Sequence, residues 1–340
     1  MDLVCLGELL VDLFPAESGR KIAEVSAFLP KPGGAPANVA VAARRLGLES
    51  AFIGKVGDEA FGRWLAEVLK EQGVETQGIR FDPAVRTTLA FIAMPDENTA
   101  EFVFYRNPGA DLRLSSDELD RTLLEKTRAF HYGSLSLVDE PARSATHTAV
   151  KIARKSGALI SFDVNYRPTL WQDPAEALQQ ITDLIPHTHL LKVNEIELRL
   201  LTEDGQEHLA GKEHLAGQEH RGDDPEIAGK MLLERGPELV AITLGSKGSF
   251  YCTEKACGFV PAFKVKTIDA TGCGDAFIAG LISQLLQEAN WRIQLTAERL
   301  AKGFRYANAV GALTALKKGV IPALPTAAQV DTFLKTREIL

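Results

Sequence analysis

The stretch Asp269-Ala270-Thr271-Gly272-Cys273-Gly274-Asp275-Ala276-Phe277 sets two glycines and a carboxylate against an apolar run, Ala276–Leu286, of helical spacing. Closely spaced glycines let successive N–H groups converge, and a helix start adds positive potential there. Such a place suits the negative charge that develops on a transferring phosphoryl group. Asp275 would then stand where it can take a proton from an attacking hydroxyl, in a reaction carried mostly by positioning and charge. An acid in the first turn of a helix also favours the helix dipole with no chemistry at all, and from this stretch alone both readings stand. Two other glycine patterns fail. Gly57 and Gly62 have Walker A spacing, but Arg63-Trp64 stand where Lys-Ser/Thr is needed. Gly272 and Gly274 begin a dinucleotide fingerprint, but Phe277 replaces its third glycine and no βαβ unit with a downstream acid follows.

Further residues could join this chemistry. Gly33-Gly34 precede a helix carrying Asn38 in its first turn; the glycines permit close backbone approach, and the amide offers hydroxyls both a donor and an acceptor. Asp12 lies just past the first strand, at a strand edge of the kind where α/β ligands gather, and could hold two sugar hydroxyls. Thr243-Leu244-Gly245-Ser246-Lys247-Gly248-Ser249 follows a strand and offers glycine-flanked N–H groups plus Lys247 to a nucleotide phosphate. Asn194 and Glu197 are three apart, on one helix face, and suit hydrated magnesium held through water. Each has a plain structural alternative: a loop-to-helix turn, a surface acid, a hairpin turn and an ordinary helix start.

The elements that must position these residues alternate. Strand-like runs (3–7, 50–57, 129–135, 158–165, 189–194, 239–245) are separated by helix-like runs (35–46, 58–73, 141–155, 174–185, 194–201, 225–235). That order predicts an α/β fold with a parallel sheet covered by helices on both faces. Residues 12–32 and the hairpin grammar of 87–106 fit no such sheet; they predict a small separate sheet acting as a lid. Residues 205–222 repeat a six-residue glycine and histidine unit. Six residues advance a helix by about 600°, so His208, His214 and His220 would face different ways, and the tract reads as a solvated surface insertion.

The chain has 340 residues, 45% of them apolar, and a net charge of −7. It has no long Lys/Arg run, which argues against nucleic acid and anionic membrane as partners. Its start lacks a basic signal-peptide region and no apolar run reaches spanning length, so a cytoplasmic protein is expected. Cys5, Cys252, Cys257 and Cys273 form no CxxC pair, and read as local or buried thiols rather than a disulfide framework or zinc site.

With both glycine stretches in order, the chain resembles the PfkB (ribokinase-like) sugar kinases, and among them the fructokinases. The likeness extends through "FIGKVGDEAFG", "FYRNPGAD", "FHYGSLSL" and "ANAVGALTALKKGVIPALPT", leaving out the 205–222 insertion. It implies a single domain over 1–340, of three-layer α/β/α fold, with a lid from about 12–32 and 87–112. It implies Asp275 as catalytic base, Gly272, Cys273 and Gly274 as anion-hole amides, and Asp12, Gly33, Gly34 and Asn38 as sugar contacts. Arg106 and Arg167 match substrate positions, Asn308 lies in the helix that borders the adenine pocket, and Asp269, Thr271 and Gly319 resemble a potassium site. Cys273 departs from the Ala or Gly usual in relatives, a change that leaves a backbone N–H unaffected. The implied activity is Mg-ATP-dependent phosphorylation of D-fructose on its 6-hydroxyl, in a homodimer paired through the lid. Two alternatives are a 2-keto-3-deoxygluconate kinase, in which Arg106 and Arg167 would take the acid's carboxylate, and a non-catalytic PfkB-like scaffold.

Overall fold

A computed structural model describes residues 1–17, 19–93, 101–202 and 221–338. The histidine repeat and the 95–99 turn lie outside the described residues.

Thirteen strands among the described residues form two sheets. In chain order they are β1 (Leu3–Leu6), β2 (Leu10–Pro15), β3 (Phe28–Gly33), β4 (Ser50–Gly57), β5 (Glu75–Asp82), β6 (Leu89–Ala93), β7 (Glu101–Tyr105), β8 (Ala129–Gly133), β9 (Leu159–Asp163), β10 (Leu190–Asn194), β11 (Leu239–Thr243), β12 (Gly248–Cys252) and β13 (Cys257–Pro261). The helices are α1 (Ala35–Arg45), α2 (Ala60–Glu71), α3 (Arg121–Glu125), α4 (Ala142–Lys155), α5 (Pro174–Leu184), α6 (Glu195–Leu201), α7 (Pro225–Leu233), α8 (Cys273–Leu285), α9 (Ala297–Thr314) and α10 (Ala327–Glu338).

The large sheet runs β13-β12-β11-β10-β9-β8-β1-β4-β5 and is parallel from β11 to β5. Its strands are apolar on both sides, as a sheet buried on both faces requires. Leu3 and Cys5 enter one core with α1, α2, α8 and α9; Val4 and Leu6 enter the other with α3 to α7. These two cores make the three layers. Local signals fix the helix ends. Glu59 caps α2 by accepting from the N–H groups of Phe61 and Gly62, and Gly73, at φ +78°, follows its C-terminus.

The second sheet, β3-β2-β6-β7, is built from the two segments that the alternation left over. Asp12 belongs to it. It lies inside β2, opposite Lys31 of β3 and Ala90 of β6, rather than at the edge of the main sheet.

The cysteine expectation fails at one place. Cys252 and Cys257 are joined by a disulfide. They face each other across the β12–β13 hairpin with Cα atoms 4.2 Å apart, next to the turn closed by Thr253 N–H on Ala256 C=O. Directly opposed residues of an antiparallel pair come close enough to bond, a proximity that the four-residue spacing does not announce. Cys5 and Cys273 are free.

Candidate active site

The site forms where the C-terminal ends of β9, β10 and β11, the N-termini of α1 and α8, and the inner part of the second sheet meet. Gly272, at φ +75°, is the N-cap of α8, and a side chain there would run into Val320. The Cys273 N–H turns back to Ala270 C=O at 3.3 Å. The N–H groups of Gly274 and Asp275 belong to the first turn and have no intrahelical acceptor. Ala276 N–H makes the first regular bond, to Gly272 C=O at 2.9 Å. Of the expected hole, Gly274 thus keeps its amide for a ligand while that of Cys273 is occupied.

Asp275 Oδ2 accepts from Asn38 Nδ2 at 2.8 Å, which joins the two glycine stretches across 237 residues. Asn38 Oδ1 is buried without a partner, a free acceptor beside the base. Burial raises the Asp275 carboxyl to about 6; Asp163 adds to the rise, while the Asn38 bond, Lys192 and Arg167 oppose it. Asp12 is raised to about 7 by burial and by Asp275, Glu8 and Asp269. Gly33 is required beside it, because a Cβ there would fall 2.1 Å from Asp12 Oδ2. Gly34, at φ +109°, packs equally close to Glu8 C=O.

Glu8 is a member of this site that the sequence reading missed. It is buried, accepts from Ala35 N–H at 2.7 Å, and is raised by burial to about 7. A lone acid just after a strand gave no signal of it. Arg106 is buried too. It donates through Nε and Nη2 to Asp111 Oδ2 and through Nη2 to Leu135 C=O, leaving Nη1 buried and unpaired. Arg167 is half-buried; its Nη1 donates to Tyr166 C=O, and its charge lowers both Asp12 and Asp275. Asn165, at φ +40°, turns the chain between Asp163 and Arg167.

A second missed group lies under the helix start. Lys192 Nζ is 3.0 Å from Asp163 Oδ1, its register neighbour on β9, and both are buried. A charged residue inside the apolar run of β10 was the available signal. Glu197 is buried beside them; one oxygen accepts from Tyr166 N–H and the other from Asn194 N–H. Asn194 is not on the face of α6 but is its N-cap, its Oδ1 accepting from Ile196 and Glu197 N–H. The pair forms a capping box. Among the described residues no group of three His, Cys, Asp or Glu could hold a metal ion.

The remaining predicted residues divide. Thr243 and Ser249 face each other at the end of the antiparallel β11–β12 pair, and the connection between the two strands has Gly245 at φ +56° with open space where a Cβ would stand. Lys247 is exposed and paired with Glu195 at 2.8 Å. Asn308 is buried with its amide spent on the protein, accepting from Ser249 Oγ and donating to Val260 and Pro261 C=O. Asp269, Thr271 and Gly319 do come together: the carboxylate accepts from Thr271 N–H through Oδ1 and from Gly319 N–H through Oδ2, both at 2.9 Å. The Cys273 thiol is pushed up to about 12 by burial and the nearby Asp269 and Asp275, which disqualifies it as a nucleophile.

Known proteins share this chain's sequence and fold. The family described as pfkB family carbohydrate kinase matches residues 1–327. The probable fructokinase-2 of Arabidopsis thaliana is 43% identical over 333 residues, 98% of this chain and 95% of that one. A fructokinase from Xylella fastidiosa, solved with bound ATP, superposes with a TM-score of 0.86 at 29% identity over 99% of both chains. A Vibrio cholerae fructokinase double mutant, solved with fructose, ADP and potassium, superposes with a TM-score of 0.81 at 30% identity over 98% of both. The chain belongs to the pfkB family of carbohydrate kinases.

Proposed function

We propose that the chain transfers the γ-phosphoryl group of ATP to the 6-hydroxyl of D-fructose. The observation that carries the choice of a neutral sugar is the charge of the cleft. Glu8, Asp12 and Asp275 crowd it, and the guanidinium of Arg106 is already bound to Asp111. A sugar acid would bring another negative charge to three desolvated carboxyls and find one arginine neutralised, whereas a polyol can be held by those carboxylates as hydrogen-bond acceptors. The named fructokinases among the relatives support the same choice.

In this reading Asp12, Asn38 and the free Nη1 of Arg106 hold the sugar, and Gly33 and Gly34 let it approach the backbone. Asp275 accepts the proton of the attacking hydroxyl, and Asn38 keeps its carboxylate aimed. The N–H groups at the start of α8 receive the charge of the transferring phosphoryl. The β11–β12 connection, with Thr243, Gly245, Lys247 and Gly248, borders the nucleotide, and Asn308 braces the adjoining wall. Asn194 and Glu197 do not fit a protein-held magnesium, since their oxygens already receive backbone N–H groups. Magnesium would come with the ATP phosphates and water. Asp269 likewise spends both carboxylate oxygens on backbone N–H groups, those of Thr271 and Gly319, so a potassium ion there would be held mainly by C=O groups of the two loops that this carboxylate draws together; bound potassium would add positive charge near the α8 N-terminus.

A coupled ADP-release assay over a panel of sugars and sugar acids tests the substrate. Fructose should lead in kcat/KM; 2-keto-3-deoxygluconate far above fructose would sink the proposal.

A further inference from the structure

We propose that Lys192 is the charged member of the phosphoryl-binding site at the start of α8, held there by Asp163 as its positioning residue. This rests on the phosphoryl-transfer reading above. The geometry is specific: a Cβ built on Gly274 would stand 3.3 Å from Lys192 Nζ. The ammonium therefore lies against the one residue of the stretch whose lack of a side chain leaves it room, and whose N–H faces no intrahelical acceptor. Among the described residues Asp163 is its one hydrogen-bond partner. An ammonium has three donors, so two remain for a ligand at the hole.

The charges around it make the assignment stronger. Asp163 faces Lys192 from β9, Glu197 from α6 and Asp275 from α8; His131, on β8, is neutral at ordinary pH, its ring lowered to about 4 by burial. Burial works against the ammonium, but Asp163 and Glu197 outweigh it and keep the group protonated. Glu197 does not need the lysine, because two backbone N–H groups already serve it. A buried ion pair is a poor source of stability compared with well-packed apolar residues of similar volume. Holding one at the floor of an anion site is explained when its cation has work to do there. Asp163 balances the charge of the ammonium, so what the incoming phosphoryl would meet is its two unspent N–H donors, fixed in a desolvated place where a hydrogen bond from a charged donor is strong.

The test compares K192M, K192R and D275N by steady-state kinetics with fructose and Mg-ATP. In K192M kcat should fall by roughly 10²–10³-fold while both KM values stay within about threefold. K192R should recover a clear part of that loss, although arginine is the larger misfit in a buried slot. Should K192M fail to fold, the double variant K192M/D163N removes both partners together and leaves no unpaired carboxylate from that pair; it should fold and show the same loss of kcat. Wild-type kcat in K192M or in the double variant, or K192R no better than K192M, would overturn the assignment. Failure of the underlying reading looks different: D275N would then keep its turnover whatever Lys192 does.

Discussion

At the scale of single residues, the site is defined by carboxyls held protonated to higher pH than in water. Asp275, raised to about 6, must lose its proton to act as a base. The kcat/KM for fructose should therefore rise with pH from about 6, go on rising to about 7 as Asp12 and Glu8 also lose their protons, and level off above that, and a flat profile from pH 5 to 8 would contradict the base assignment. D275N should lose kcat by roughly 10²–10⁴-fold; near-native turnover in the folded variant would do the same damage. Asp12 makes a prediction of opposite kind for stability. Its folded value of about 7 lies above the ordinary 3.8, so the folded state carries an uncompensated cost above pH 7 that vanishes below about 4. D12N should thus melt several degrees higher than wild type at pH 8, with the gap closing toward pH 4, while its KM for fructose rises steeply. An unchanged fructose KM would remove Asp12 from the sugar site. Asn38 and Asp275 were legible because glycines and helix starts mark them, and Asp12 because it closely follows the first strand. Glu8 was not, since a lone charge beside a strand has the same appearance whether it reaches solvent or a buried partner; Lys192 had only its place inside the apolar run of β10 to mark it.

At the scale of elements, the parallel strands and their helices were readable because each buries two faces and is written as a continuous apolar run. The β12–β13 hairpin was not predicted: β13, at the edge of the sheet, buries only Val260 and so has no continuous apolar run. Its disulfide escaped with it, because only pairing across the hairpin brings Cys252 and Cys257 together. Closing so short a loop is worth about 2 kcal/mol, so melts with and without a thiol reductant should differ by a few degrees. Gly33 ties the second sheet to the site. G33A would drive a methyl group into the Asp12 carboxylate, and should raise the KM for fructose at least tenfold with little change in the KM for ATP. Equal effects on both substrates would argue that β3 does not border the sugar. The same sheet leaves Leu29, Phe102, Val103 and Tyr105 exposed. We expect two copies to pair through it, and Tyr105→Lys to shift the sedimentation coefficient toward that of a monomer; a wild-type protein already monomeric at assay concentration would refute the pairing.

At the scale of the whole molecule, the three layers were readable from the order of elements, and the second sheet from what that order failed to accommodate. What could not be read was that β2 carries Asp12 into that second sheet, since the register belongs to tertiary pairing and not to local pattern. The consequence concerns how such a chain can change over generations. In the reading proposed above, the groups offered to the sugar sit on residues 8–38 and 106–111, together with Arg167, and those offered to the phosphoryl group sit on 163, 192 and 272–275. The first set is largely supported by a sheet that shares no strand with the second. Substitutions around β2, β3 and β7 can therefore try new acceptors while the transfer machinery at the start of α8 goes on undisturbed, and a lineage can alter its diet without relearning its chemistry.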